Sequence, residues 1–320
     1  MKKALLVGIN YVGTGHELKG CINDSHNMHN FLAARGFTDI KMLQEEAATT
    51  DGIKAGLEWL TSGVTPGDVI VFHYSGHGSQ LPSSTEADGF EEIICPVDLN
   101  WMDKVITDDT LRQAFNKVPN GVNTTVILDC CHSGTMLDQT ESLNATKTMV
   151  EAPKVAKKVK GARYLKPPAK VANKLKTRSL VDWRASRDVN ESALLIAGCH
   201  ADQTSADAVI NGSPQGAATA ALLRSAMANP GISYKQLVTE MCDFMVAGKY
   251  TQVPELDGSP RLYDEVFIEP FKVSVPVTPV EPVVTPTESV TPPADSGKKN
   301  NLAIIGGVIL AILVLILMFS

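Results

Sequence analysis

No two cysteines stand at Cys-x-x-Cys spacing in this chain. The six present, at positions 21, 95, 130, 131, 199 and 242, are scattered through mostly apolar runs. That excludes a paired-cysteine zinc site and a small disulfide-stapled framework, and it points to a reducing compartment. No cleavable leader is expected either. MKKALLVGINY opens with two lysines, but its apolar run is too short for a signal h-region and no small-residue cleavage site follows. It reads instead as a first buried strand, with almost no prodomain ahead of it. The basic segments lack interleaved aromatics and match no known nucleic-acid module, so no nucleic-acid partner is expected.

With 44% of 320 residues hydrophobic and 20% charged, the chain can bury one good-sized core. Charge is unevenly placed. Residues 147–187 hold thirteen Lys or Arg against Glu151 and Asp182, a local balance of +11 in a chain whose total is −6. Pro153, Pro167 and Pro168 break helices there, so the segment reads as an exposed, extended basic loop. Residues 273–300 are rich in Pro, Val and Thr and read as a semi-rigid linker that closes a domain at 1–272. Beyond it, 301–320 contains LAIIGGVILAILVLILMF, with no charge between Leu302 and Phe319. At 1.5 Å per residue such a run is long enough for a transmembrane helix. Lys298 and Lys299 precede it, so the expectation is a single-pass C-terminal membrane anchor with the main domain in the cytosol.

Elsewhere, apolar runs alternate with helical patterns. Residues 4–9, 68–74, 92–97, 124–130 and 192–198 predict strands; 24–35, 50–60, 108–118, 215–228 and 234–247 predict helices. Asp24, Thr50 and Thr107 are candidate N-caps. Strands apolar on both faces and separated by helices mean an α/β fold with a mostly parallel central sheet flanked by helices. Active sites in such sheets gather at the carboxyl ends of the strands.

Two strands end in unusual residues. VIVFHYSGHG sets His77 between Gly76 and Gly78, which permit a sharp turn and a close backbone approach. TTVILDCCHSG carries adjacent cysteines, Asp129 and Cys131 on one side, Cys130 and His132 on the other. His73, mid-strand, reads as a packed core histidine, and His132 cannot easily fold back onto its neighbour's sulfur. The pattern favours His77 joined to one cysteine across adjacent parallel strands, a pair able to activate a thiol and protonate a leaving amine. Alternation alone leaves open which cysteine faces a cleft.

HYSGHG and DCCHSG, preceded by GCINDSHNM (20–28) and followed by AGCHADQTSADA (197–208), resemble the motifs of the metacaspases (type I-like), clan CD cysteine peptidases of the caspase family. The similarity spans nearly all of residues 3–270. It implies the caspase–haemoglobinase fold, with His77 as base and Cys131, immediately before HSG, as nucleophile; Cys130 falls at a variable position and reads as packing. The amides of Gly78 and Cys131 would hold the oxyanion. Asp24 and Asp129, with Cys21 and Ser75 nearby, would line a pocket selecting Arg or Lys before the scissile bond. The resemblance also implies a Ca²⁺ site drawn from Asp108, Asp109 and Asp138, with Glu91 (or Glu92) as the fourth ligand.

The reading is thus a membrane-anchored, calcium-dependent cysteine endopeptidase acting on protein and peptide substrates, a monomer by family habit, that cuts itself within 147–187, most of all in KVAKKVKGAR. Its rivals are an inactive membrane-tethered scaffold, disfavoured because both Cys and His stand in intact motifs, and a transpeptidase or ligase using the same pair.

Overall fold

A computed structural model describes residues 1–82, 90–131, 162–174, 191–200 and 203–272. They belong to one unit, Met1–Val277.

The chain enters through β1 (Lys2–Gly8), α1 (Cys21–Ala34), β2 (Asp39–Gln44), α2 (Thr50–Thr61) and β3 (Val69–Ser75). Three short strands follow, β4 (Gly78–Pro82), β5 (Phe90–Ile94) and β6 (Ile106–Thr107), then α3 (Asp108–Phe115) and β7 (Asn123–Asp129). The second half holds α4 (Ala169–Lys174), β8 (Ala193–Ala197), β9 (Asp207–Ile210), β10 (Ser213–Gly216), α5 (Ala217–Ala228), α6 (Tyr234–Gly248) and β11 (Glu255–Gly258).

Six strands form the central sheet in the order β11-β8-β7-β3-β1-β2, every pairing parallel except β11 with β8. This is the caspase–haemoglobinase α/β arrangement. Strands β3, β7 and β8 are buried along their whole length, as strands of a parallel sheet are when helices cover both faces. One face packs Leu5, Val7, Phe72, Val126 and Leu195 against Ile53 and Leu57 of α2 and Leu111 and Phe115 of α3. The other packs Leu6, Val71, Ile127 and Ile196 against Met28 and Leu32 of α1, Leu222 of α5 and Leu237 of α6. Each fully buried side chain of this size favours folding by about 1.5–3 kcal/mol.

Register sets the carboxyl ends level. Gly8 pairs with Ser75, and Ser75 with Asp129, so the turns after β1, β3 and β7 emerge side by side.

Several sequence expectations change here. EIICPV is not a strand of the main sheet: β5 joins β4 and β6 in a separate antiparallel sheet beside the β3 end. Apolar runs of this length cannot by themselves tell a central strand from a buried satellite one. Asp24 is not an N-cap; Gly20 holds that position, and the carboxamide oxygen of Asn10 accepts the Cys21 amide at 2.9 Å. The α2 cap is Thr49, whose hydroxyl accepts the Gly52 amide, whereas Thr107 caps α3 as expected. The hairpin β9–β10 turns on Asn211 and Gly212, both at positive φ (53° and 81°), the backbone a two-residue hairpin turn of this kind needs.

The expected membrane anchor is corrected. Among the described residues no helix is long and apolar enough to cross a membrane. A crossing needs about 20 residues of continuous helix. The run 302–319 lies outside the described residues, and apolar composition alone does not make a helix. The anchor and the cytosolic placement deduced from it are withdrawn. The linker 273–300 also lies outside the described residues.

Candidate functional site

The turn Ser75-Gly76-His77-Gly78 is fastened by two tyrosines. The His77 amide donates to the Tyr11 hydroxyl at 3.0 Å, and that hydroxyl donates to the Cys95 carbonyl at 2.6 Å. The Tyr74 hydroxyl donates to the His77 carbonyl at 2.7 Å. Tyr11 itself sits at φ 53°, at the head of the loop after β1. An alanine-sized side chain at Gly76 would lie 2.5 Å from the Tyr74 hydroxyl, which explains the glycine. His77 is 3% exposed. Its Nε2 lies 2.7 Å from the His16 carbonyl, so Nε2 carries the proton and Nδ1 is the basic nitrogen. Nδ1 has no hydrogen-bond partner among the described residues. Burial holds the imidazole below its ordinary pKa, against the opposing influence of the His16 and Arg163 backbones.

Cys131 follows β7 directly and is buried. Its sulfur accepts the Ser205 amide at 3.1 Å. Burial, reinforced by the neighbouring Cys199, pushes this thiol well up, so it is neutral in the structure as it stands. Cys130 is buried among apolar neighbours, its own thiol also pushed up by burial, while its carbonyl accepts from the Cys199 thiol at 3.3 Å. His73 is a core histidine, paired with the Thr219 hydroxyl at 3.2 Å and pushed down to about 4 by burial.

The principal departure from the sequence reading lies in the basic loop. Arg163 was expected, with its neighbours, to be solvated; it is wholly buried. A guanidinium is stable in such a place only if charges and acceptors surround it. Its Nη2 donates to Asp24 at 2.8 Å and to Asp207 at 3.1 Å; its Nη1 lies 3.1 Å from the Asp129 carboxylate and donates to the Ser75 hydroxyl at 2.8 Å. The expected pocket residues Asp24, Asp129 and Ser75 therefore converge on one cation. Cys21, the fourth, is buried at the start of α1, its thiol pushed up to about 12 by burial.

Each carboxylate is held in turn. Asp129 accepts from the Ser205 hydroxyl at 2.6 Å and from both the amide and hydroxyl of Thr219 at 2.8 Å. Asp24 accepts from the Ser75 hydroxyl at 2.7 Å and from the Gly216 amide. Asp207 accepts the amides of Lys19 and Gly20. Burial pushes Asp24 up to about 6, with Asp129's charge adding to the rise and Arg163 opposing it. Asp129 stays below its ordinary value: burial pushes it up, but Arg163 and the donors from Ser205 and Thr219 outweigh that. Asp207 was quoted in the sequence motif but not singled out, because nothing in its spacing ties it to the β3 and β7 ends.

For the expected calcium ligands the picture is partial. Asp108 is buried in the first turn of α3; Asp109, beside it, pairs with Arg112. Glu91 lies on β5, its carboxyl raised by burial and hydrogen-bonded to Thr107. Asp138 lies outside the described residues. Among the described residues no three His, Cys, Asp or Glu side chains gather as a metal centre. The donors at this strand–helix corner are all carboxylate oxygens, the chemistry Ca²⁺ takes, and Arg112 supplies the positive charge beside Asp109.

Residues 2–140 match the model of the metacaspase, peptidase C14 domain. Metacaspase-1 of Mycosarcoma maydis is 36% identical over 284 residues, covering 81% of this chain and 70% of that protein. Metacaspase-1 of Candida albicans is 34% identical over 293 residues, and this chain spans 65% of its length. A crystal structure of a Geobacter sulfurreducens protein superposes with a TM-score of 0.59 at 25% identity, covering 85% of this chain and 99% of that one. With the histidine and cysteine motifs at adjoining strand ends and these relatives across four fifths of its length, the chain belongs to the metacaspases, peptidase family C14.

Proposed function

We propose that the protein is a cysteine endopeptidase that cleaves after Arg or Lys, depends on calcium, and processes itself within the basic loop. The observation that carries this reading is the buried guanidinium of Arg163 among Asp24, Asp129 and Asp207. A pocket that satisfies one arginine so fully selects cations, and its several oxygens favour the planar fork of Arg over the point charge of Lys. It would reject acidic side chains, which would add a fourth negative charge to a buried site.

In this mechanism the Cys131 sulfur attacks the carbonyl carbon after the basic residue while its proton passes to His77. The amides of Gly78 and Cys131 hold the oxygen as it gains charge, at no cost in reorganisation because the backbone fixes them. His77 returns the proton to the leaving amine. Water then adds to the thioester, giving its proton to His77, and the thiol is restored. The His16 carbonyl holds the imidazole in one tautomer throughout. Calcium would be held by Asp108, Asp109, Glu91 and Asp138 and would supply fixed positive charge at that corner.

The test is hydrolysis of fluorogenic peptides ending in Arg, Lys or Asp by the full chain, with and without Ca²⁺. Turnover of Arg and Lys peptides, raised by Ca²⁺ and absent for Asp, is expected. Turnover of Asp peptides, or of none under any condition, would defeat the reading.

A further inference from the structure

Arg163 fills the pocket with its side chain, and its backbone lies equally close to the reacting groups. The Gly78 amide donates to the Arg163 carbonyl at 2.9 Å, and the Cys131 amide approaches the same oxygen at 3.4 Å. The Arg163 amide donates to the Ser205 carbonyl at 3.0 Å, and the Leu165 amide to the Gly78 carbonyl at 3.1 Å. Residues 162–164 are thus bridged to Ala206 on one side and Gly78 on the other, as an extended strand lying along the strand ends. Among the basic side chains of this segment, Lys166 and Lys170 are exposed; Arg163 alone of the three is buried.

We infer that Arg163–Tyr164 is the bond the chain cuts in itself, and that until it is cut Arg163 bars the pocket to other substrates. The inference rests on the peptidase reading above and deepens it. Among the described residues of the segment, one carbonyl meets both the Gly78 and Cys131 amides, and the residue that owns it also fills the cation pocket. Asp207 acts here as a third carboxylate for the same guanidinium, positioned by the amides of Lys19 and Gly20.

The step balances without any added oxidant or reductant. The Cys131 sulfur bonds to the Arg163 carbonyl carbon as its proton moves to His77. The carbon–nitrogen bond to Tyr164 breaks, and that nitrogen takes the proton. Water then cleaves the thioester, leaving a carboxylate on Arg163 and a free amine on Tyr164. The bond is already seated in the site of its own chain, so the cut is intramolecular and its rate is independent of protein concentration. Substrates in trans wait for Arg163 to leave.

The experiment follows full-length wild type, Cys131→Ala, Arg163→Lys and Arg163→Gln in calcium-containing buffer at several dilutions, by intact mass, N-terminal sequencing and hydrolysis of an Arg-ending peptide. Wild type is expected to give a new N-terminus at Tyr164 at a rate unchanged by dilution, with a lag before peptide turnover. Arg163→Lys, which keeps a cation in the pocket, gives the same terminus; Cys131→Ala gives none. Arg163→Gln gives none at Tyr164 yet turns over the peptide without the lag. Wild type that hydrolyses Arg peptides but never exposes Tyr164 would overturn the inference and leave the peptidase reading standing, Arg163 then being a static ion cluster. A cut at Tyr164 in Cys131→Ala, or a rate proportional to concentration, would overturn it as well. Wild type that hydrolyses no basic peptide would remove the reading beneath it.

Discussion

Ser205 ties Cys131 to the chain that lies across it: its amide donates to the Cys131 sulfur at 3.1 Å while its carbonyl accepts the Arg163 amide. The adjacent Cys130 is placed differently. Its thiol is buried in the cluster of Leu128, Tyr74 and Cys95, on the other side of the strand.

Cys131→Ala is therefore expected to abolish peptide hydrolysis, and Cys130→Ala to keep most of it at a stability cost of about 1 kcal/mol, the price of a small cavity. Rates and thermal melts of the two variants decide. Equal loss of activity in both, with folding intact, would reassign the nucleophile.

How much of this was legible beforehand depends on range. The pairing of the HYSGHG and DCCHSG ends followed from apolar strands of similar length in a parallel sheet, and the register Ser75 to Asp129 delivers it. Tyr11 was not legible, since its hydroxyl meets His77 only because the chain turns at a positive φ there. Arg163 was one cation among thirteen; charge density predicts solvation, and only the tertiary arrangement of three aspartates reverses that for one of them. The C-terminal apolar run misled for the opposite reason: composition over eighteen residues was read as an element without any contact to support it.

Asp24 gives the pocket a pH dependence whose sign can be worked out. Its folded pKa, about 6, lies above the ordinary carboxylate value. Through that window the folded chain holds a proton the unfolded chain has released, so this group's contribution to stability falls as pH rises through about 6. Substrate binding runs the other way. A guanidinium lowers the Asp24 value, so a vacated pocket takes up a proton at or above pH 6 and must release it to bind Arg. The apparent KM for Arg peptides should then rise as pH falls toward about 6, by at most about tenfold per unit, the slope of a single linked proton, and level off below it, where the occupied pocket is protonated as well. Asp24→Asn should show a raised KM with that limb gone. A KM flat from pH 7.5 to 5 in wild type would show that Asp24 does not titrate there.

The calcium site proposed at the α3 corner would rest on the carboxylates, not on Arg112. An Asp108→Ala/Asp109→Ala double variant is expected to lose calcium binding by titration calorimetry and the calcium stimulation of peptide turnover together. Mg²⁺ should substitute poorly in wild type, because it dehydrates reluctantly. An undiminished calcium response in the double variant would place the metal elsewhere.

Gly216 offers the most selective test of the pocket, because only space is at stake there. It is the N-cap of α5 at φ −72°, an ordinary conformation for alanine, so a methyl group adds no backbone strain. Its amide, which donates to both oxygens of Asp24, is retained. The new carbon would nevertheless lie 2.2 Å from the Asp129 carboxylate and 2.5 Å from Nη1 of Arg163, well inside contact distance. Either the carboxylate or the guanidinium must move, and displacement of a bound group by about 1 Å can lower turnover about a hundredfold. Gly216→Ala is thus expected to lower kcat/KM for Arg peptides by about two orders of magnitude. Lys peptides should lose less, since a slender ammonium needs no planar slot. Gly15→Ala, whose added carbon meets nothing within 4 Å, serves as the control and should behave as wild type. The measurement is the Arg-to-Lys ratio of kcat/KM alongside a thermal melt. A ratio unchanged in a folded Gly216→Ala protein would mean that substrates do not place their basic side chain where Arg163 places its own.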